Sequence, residues 1–600
     1  MVNGIPLFKV AFSERLIHRD SEADKLFGYC IEANRGPVAV PTYVASNAEA
    51  KRKFGVNFAP HFAQQGSGLW LYRVEFKESA KASITYDICT EDYAASINDT
   101  AKNHINMLKI TALYPGTAPY KVNIHTSLSL DNAYTLTVTI PDVGSKKYQN
   151  IGSLTDIVNK INSKFGDYLE AKLLYDEDIL LGRKAINQDG DKLVAGKTLV
   201  YDENSTNPYV LKKDNSITSS DVVLAKGPYK ASRLFNNKDA SGNIIDNLAN
   251  GSNGKLLTTK GNISTKTIPD TGIVNQIAST DVGTNDDDAN IDKTLYIAYK
   301  NAFKAMENVN LLGIATLSNH SVVQNELCRH IDGMIDPEVA KYRFGITGYL
   351  EYPEKDSNGV MNVNKKDTVT VYDIQQVAHD IDNPFIMCIG QGVKFNEEGK
   401  EYNLLPHECV QLYTGLRSAL DYNQSIFGGN PKKVLNGVVD VLPINTDNTE
   451  LYTEDRENLN QSGVITFLKK YDEVRFLQGV TTAQDSPVLS HESIMSIVLH
   501  VLRRLVEVAW PFMGETLTED IKTGFGQAIT GELKRITDTD NSLMPLEEYG
   551  IPPYDVEIRA TTMAGFNNEG ELIRETKLVA IIKIVPRGSI EAIELSVIII

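Results

Sequence analysis

Two rhythms of apolar residues alternate between Thr294 and Leu420. Helical spacing runs through 294–306, 321–334, 372–379 and 406–420, and short unbroken apolar runs at 311–317, 344–349 and 385–389 lie between them. An unbroken apolar run suits a strand buried on both faces, and strands alternating with helices predict a mostly parallel sheet covered by helices. Two earlier strands are expected at 26–31 and 69–74. Between them Ser46-Asn-Ala-Glu49 reads as a capping box that opens a helix closed at Phe54-Gly55, and a second short helix is expected over 60–65.

The rhythm changes on either side of this core. From Ser83 to Asp288 the chain is rich in Thr, Asn, Ser, Asp and Gly, and Tyr134-Thr-Leu-Thr-Val-Thr-Ile140 alternates as a half-buried strand does. The stretch 184–288 reads as loop-heavy, solvent-facing decoration. Its clusters, such as Asn236–Gly242 and Asp286–Asp288, lack the spacing and terminal glutamate of a calcium loop. Toward the C-terminus, Ile494, Ile497, Val501, Leu505 and Val508 form a one-faced helical stripe over 493–509. Thr516-Leu-Thr-Glu519 is a capping box opening a helix toward Ile536. Tyr554–Ile558 alternates as a strand, Asn567, Asn568 and Gly570 turn the chain, and Leu578–Val585 is a strong second strand.

After Pro586-Arg-Gly-Ser589 comes Ile590-Glu-Ala-Ile-Glu-Leu-Ser-Val-Ile-Ile-Ile600, whose final residues join high β-propensity to an absence of charge and proline. Such a segment pairs with any open sheet edge it meets. Chain ends are usually polar and mobile, so burial is expected here. It would lie either in its own domain or as a strand added to a neighbouring molecule's sheet. Residues 5–12 form a shorter apolar arm before the charged run 13–25.

Composition narrows the class. Six hundred residues with 42% hydrophobic content support several cored domains. A formal net charge of -17 argues against a nucleic-acid or anionic-membrane surface as the main partner. Five scattered cysteines with no Cys-x-x-Cys spacing suit reduced thiols. The first residues lack the pattern of a signal peptide, and no apolar run reaches membrane-spanning length.

An α/β core invites an enzyme reading, but each candidate motif fails at a required position. His407-Glu408 and His491-Glu492 begin like a zinc-protease helix, yet Gln411 and Met495 stand where the second histidine belongs. Gly390-Gln-Gly392 follows a strand, but Phe395 replaces the third glycine of a dinucleotide loop. Gly526 to Gly531 has the glycine spacing of a phosphate loop with Glu532-Leu533 in place of Lys-Ser/Thr. No catalytic residue, cofactor or metal is expected.

Several short motifs resemble the contractile tail sheath proteins of phages and related injection machines. They are Gly36-Pro37 with Val40-Pro41, Ser46, Phe54-Gly55, Phe62 and Gly66 leading to Tyr72-Arg73-Val74. Thr111-Ala-Leu-Tyr-Pro-Gly116 with Val122-Asn-Ile124 follows. Then come Leu412-Tyr-Thr-Gly415, Asp421-Tyr-Asn-Gln-Ser425, Asn460-Gln-Ser-Gly-Val-Ile465 and Val474-Arg-Phe-Leu-Gln-Gly-Val-Thr-Thr482. The resemblance covers nearly the whole chain and is weakest over 184–288.

It implies an α/β and α+β multidomain plan. An arm (1–25) leads into an inner domain built from N- and C-terminal parts (26–82 and 446–585) with a mixed sheet and helices. A β-rich outer insert (83–288), an inserted α/β domain (289–445) and a C-terminal arm (586–600) complete it. It also implies a structural subunit of the virion, assembled in the host cytoplasm. Copies polymerise helically around an inner tail tube, between baseplate and tail terminator proteins, without nucleic acid or membrane insertion. Contraction would draw on a metastable extended state. The expected contacts between subunits are Ile5, Leu7, Phe8 and Val10 of the first arm, and Ile593, Leu595, Val597 and Ile599, which share one face of the last. An oligomeric scaffold or binding module, or an enzyme with a concealed site in the α/β domain, are the alternative classes.

Overall fold

The computed structural model describes residues 25–89, 104–126, 133–186, 192–227, 232–235, 245–258, 262–268, 286–318, 320–336, 339, 341–349, 369–444, 451–470, 472–483, 490–566 and 572–587. The expected parallel sheet is present and has seven strands: β1 (Phe27–Ile31), β2 (Pro41–Val44), β3 (Leu69–Arg73), β4 (Gly313–Thr316), β5 (Phe344–Gly348), β6 (Ile386–Ile389) and β7 (Val464–Ile465). Their order across the sheet is β2-β3-β1-β4-β5-β6-β7. Only β2 runs antiparallel to its neighbour, and β1 is an interior strand, with Phe27 opposite Leu69 on one side and Gly313 on the other. One sheet thus draws strands from 26–82, from 289–445 and from the start of 446–585.

Alternate residues of each strand feed two cores, as the pleat requires. Phe27, Tyr29, Ile31, Ala315, Met387 and Ile389 enter one core with helix α4 (Pro406–Ala419). Cys30, Ile314 and Ile386 enter the other with α1 (Asp286–Met306) and α2 (Ser321–Ile335). Helix α3 (Val371–Ile381) covers a third, smaller cluster. Helix α1 spans Asp286–Met306, so the acidic triplet read from the sequence as loop falls within the helix.

The insert is β-rich, with its own core of strands 83–89, 104–112, 121–126, 134–140 and 169–173 and helix Leu154–Phe165. Its second half is more ordered than its composition suggested. Strands 197–201, 209–213 and 222–226 form a separate sheet, and 232–235 joins the sheet of 83–89. The strands of 197–226 are only five residues long and set among turn formers, so they hide from pattern reading, and their order comes from cross-strand pairing. Arg73, almost fully buried, bolts the insert to the body by donating to Gly36 O (2.9 Å) and Pro115 O (2.7 Å).

The C-terminal unit consists of α5 (Glu492–Ala509), α6 (Glu519–Asp538) and a hairpin of β8 (Tyr554–Phe566) with β9 (Leu572–Ile584). Ile497, Val501 and Leu505 of the expected stripe pack on Phe525, Ile529, Leu533 and Ile536 of α6. The stripe is not the whole of it, however. The first half of α5 is buried on the opposite face as well, where Met495 and Leu499 enter the main core. Helix α5 is wedged between two cores, which a one-faced reading could not anticipate.

Candidate assembly interface

The hairpin is the most unusual feature of the surface. Each strand is 13 residues long, and the register is unbroken from Tyr554 opposite Ile584 to Phe566 opposite Leu572. Tyr554, Val556 and Ile558 share one face with Leu578, Ala580, Ile582 and Ile584, and this row lies half-buried on the core of α5 and α6. The opposite face carries Asp555, Glu557 and Arg559 on β8 and Val579, Ile581 and Lys583 on β9. Here Glu557 binds Arg559 at 2.6 Å and Asp555 meets Lys583 at 3.6 Å, leaving Val579 and Ile581 exposed between charges.

Among the described residues β8 and β9 form a two-stranded sheet with no third strand. Beyond Ile584 the chain pairs with the segment after α6: Met544 N donates to Val585 O at 3.0 Å and Arg587 N to Ser542 O at 2.8 Å. That short pairing occupies only the base of one outer edge. The remaining lengths of both edges present backbone donors and acceptors in a row, a template for strands from elsewhere. A two-stranded ribbon of this length is a marginal structure by itself. The start of β8 and the end of β9 were legible in the sequence, which missed 559–566 and 572–577; the turn residues Asn567, Asn568 and Gly570 lie outside the described residues. So do the arm residues Ile5, Leu7, Phe8, Val10, Ile593, Leu595, Val597 and Ile599.

The hairpin's position is fixed by a buried joint that sequence reasoning missed. Arg417 on α4 and Glu492 at the start of α5 are 1% and 0% exposed and lie 3.3 Å apart. Tyr413 donates to the same carboxylate oxygen at 3.1 Å, and Arg417 also donates to the carbonyls of Asp421 and Gln424. Burial, with the Glu492 carboxylate second, pushes the Tyr413 hydroxyl well above its ordinary range. Around this pair the loop after α4 grips the C-terminal unit. Tyr422 OH meets Asp540 at 2.8 Å and stacks on His500 with ring centroids 3.6 Å apart, while Asn423 donates to Asp540 O at 2.7 Å. The His491-Glu492 dipeptide, considered above as a zinc motif, therefore supplies a structural carboxylate. Nothing at Arg417 in the sequence marked it as the partner.

The other motif residues also pack. His407 is buried in the first turn of α4, and Glu408 accepts from Leu405 N at 2.8 Å as a helix cap. Gly390 is required by close approach: a Cβ there would lie 2.3 Å from Val464 Cγ1 and 2.7 Å from Ile374 Cγ2. Gly526 and Gly531 lie inside α6. Cys30, Cys388 and Cys409 are buried, and burial pushes the Cys388 thiol up to about 12, far from a thiolate nucleophile. His61 is wholly enclosed, with Nδ1 3.0 Å from Thr414 Oγ1 and Nε2 2.8 Å from Ser67 O. Burial lowers its pKa to about 4, against the Ser67 carbonyl, which favours the charged ring. Among the described residues no three of His, Cys, Asp and Glu gather as metal ligands, and no helix is long and apolar enough to cross a membrane.

No family model and no curated protein matches the chain. Among solved structures it is similar to the sheath tail protein of Desulfitobacterium hafniense, with a TM-score of 0.49 and 10% identity over 96% of this chain and 100% of that one. The sheath tail protein of Listeria innocua is similar at a TM-score of 0.45 and 11% identity, over 92% and 94% of the two chains. The contracted helical sheath of the anti-feeding prophage is similar at 0.34 and 14% identity, over 50% of this chain and 74% of that one.

Proposed function

We propose that this chain is the structural subunit of a contractile tail sheath. Copies join head to tail around an inner tube, a contact that generates a helix when it does not close on itself. The sheath is assembled in the host cytoplasm between baseplate and terminator proteins. It shortens from a metastable extended state to drive the tube through an envelope, without nucleotide hydrolysis. One observation carries the reading: among the described residues a long hairpin has most of both edges open, in a chain whose terminal segments are apolar strand formers in sequence. The segment Ile590–Ile600 of one neighbour adds to one edge and Ile5–Val10 of another to the second, so that each hairpin links three subunits. Val597, Ile599 and their neighbours supply about five large apolar side chains. At roughly 1.5–3 kcal/mol each these contribute on the order of 10 kcal/mol before ordering costs.

Deleting Ile590–Ile600 tests this. Sedimentation of the truncated protein beside its circular dichroism spectrum is expected to show a folded monomer that does not polymerise. Tubes of normal length would exclude strand exchange by this arm, and an unfolded chain would place the segment in its own domain.

A further inference from the structure

Past Ile584 the backbone goes on pairing. Val585 N donates to Pro553 O at 2.9 Å, Val585 O accepts from Met544 N at 3.0 Å, and Pro586 pairs antiparallel with Leu543. The N–H and C=O of one strand residue point to the same side. Both bonds of Val585 therefore face the flank where β8 begins, and the opposite flank of 585–587 prolongs the open edge of β9. Gly588-Ser589 comes next in the sequence. Two such residues between a strand and a β-forming run specify a two-residue hairpin turn, with glycine where φ is positive.

A turn at 588–589 sets Ile590 opposite Arg587 and thereby fixes every later pair. Ile593 falls opposite Ile584, Leu595 opposite Ile582 and Ile599 opposite Leu578, so the apolar face of the segment widens the row that lies half-buried on α5 and α6. On the other face Glu594 falls opposite Lys583, an exposed cation whose other neighbour is Asp555 at 3.6 Å. Ser596 and Ile598 fall opposite Ile581 and Val579, the two exposed apolar residues of that face. A slip of one residue would turn Glu594 and Ser596 onto the apolar row. Turn, hydrophobic row and charge thus agree on a single register.

We propose that in the free subunit residues 590–600 fold back through Gly588-Ser589 as the third strand of their own hairpin, capping the β9 edge. A segment tethered by so short a turn meets its own edge at an effective concentration of about millimolar or more, so a dilute subunit closes on itself. The same arm from a second copy makes the same pairs on the same edge, and linking copies becomes a domain swap about Gly588-Ser589. Until subunits are concentrated, the closed form keeps both an open edge and an aggregation-prone segment covered. The closed strand stands on the turn and the register, whereas its release into a neighbour rests on the sheath reading.

The test uses the full-length chain carrying Ile581→Cys and Ser596→Cys, which the register places opposite one another, with each single variant as a control. Dilute protein is oxidised with glutathione disulfide and monomer-sized material is digested with trypsin, which cuts between the two positions at Lys583 and Arg587. The peptides of 581 and 596 are expected to be joined, whereas Ala580→Cys with Ser596→Cys, on opposite faces, should stay reduced. The oxidised monomer should fail to polymerise and recover on reduction. In a second measurement Gly588→Pro/Ser589→Pro, which forbids the turn, should lower severalfold the concentration at which polymer first forms, and Gly588→Asn/Ser589→Gly should raise it. Disulfides found only between chains in dilute protein would overturn the proposal, as would oxidised monomer that polymerises like the reduced form. Wild-type protein that forms no helical assembly, with the intrachain disulfide present in the double variant, would support the closed strand and count against the sheath reading.

Discussion

The seven-stranded sheet and the C-terminal hairpin are built from similar apolar residues and differ in what completes them. Strands β1 and β4 to β6 are buried on both faces by helices of the same chain, and every interior strand has a neighbour on each side. In the hairpin one face is half-covered by α5 and α6, and most of both edges is open among the described residues. A sheet finished by its own chain is a foundation, whereas in the proposed assembly the unfinished ribbon would be a socket. On that reading the ribbon must be held by the foundation, which puts the greatest demand on the joint at Arg417 and Glu492.

Breaking that joint is expected to have the largest effect. Glu492 Oε2 and Arg417 Nε are buried with no hydrogen-bond partner among the described residues, so the pair is not an optimised source of stability. Removing one partner nonetheless strands a buried charge. Glu492→Leu should cost about 3–5 kcal/mol in urea unfolding, and Arg417→Met with Glu492→Leu should recover most of it. A single variant within 1 kcal/mol of wild type would show that the joint is not what holds the two regions together.

Within the foundation, Gly415→Ala should cost about 1–3 kcal/mol, since a Cβ at that position would lie 2.3 Å from the backbone oxygen of His61. The same unfolding measurement decides it, and an unchanged midpoint would mean the helix shifts freely. This contact gives the Leu412-Tyr-Thr-Gly415 motif a physical reason. Tyr29, His61 and Thr414 form a buried hydrogen-bonded knot, and glycine lets α4 approach it.

Acid should act on the foundation next. The folded chain holds the His61 pKa at about 4, whereas an unfolded chain binds that proton near 6.5. The unfolded state therefore binds more protons below pH 6.5, and stability is lost as pH falls from there toward 4. By pH 5 the loss from this group is about 2 kcal/mol. Burial also lowers the pKa of His330, to about 3, which works in the same direction. Urea titrations at pH 7 and pH 5 should show the loss, and a pH-independent midpoint would contradict it. The smallest effect is expected on the hairpin's outer face. Arg559→Ala removes only a solvent-exposed pair with Glu557 and should leave the melting temperature unchanged; a clear drop would show that this face is already covered in the free subunit.

Local pattern determined much of this protein. Unbroken apolar runs specified β1, β4, β5 and β6, alternation specified Tyr134–Ile140 and the start of β8, and Ser46 was legible as the cap of the helix at Asn47, whereas α6 is capped by Thr518 and not by Thr516 of the expected box. These signals were legible because a residue's face follows from its spacing to near neighbours. Tertiary structure decided that 26–82 shares a sheet with 313–465, that α5 is buried on two faces, that the short strands of 197–226 pair, and that Arg417 finds Glu492. Each of these joins residues far apart in the chain, and a charge pair 75 residues apart leaves no periodic trace. The energy that selects it, desolvation against a single partner, exists only once the two cores have closed around it.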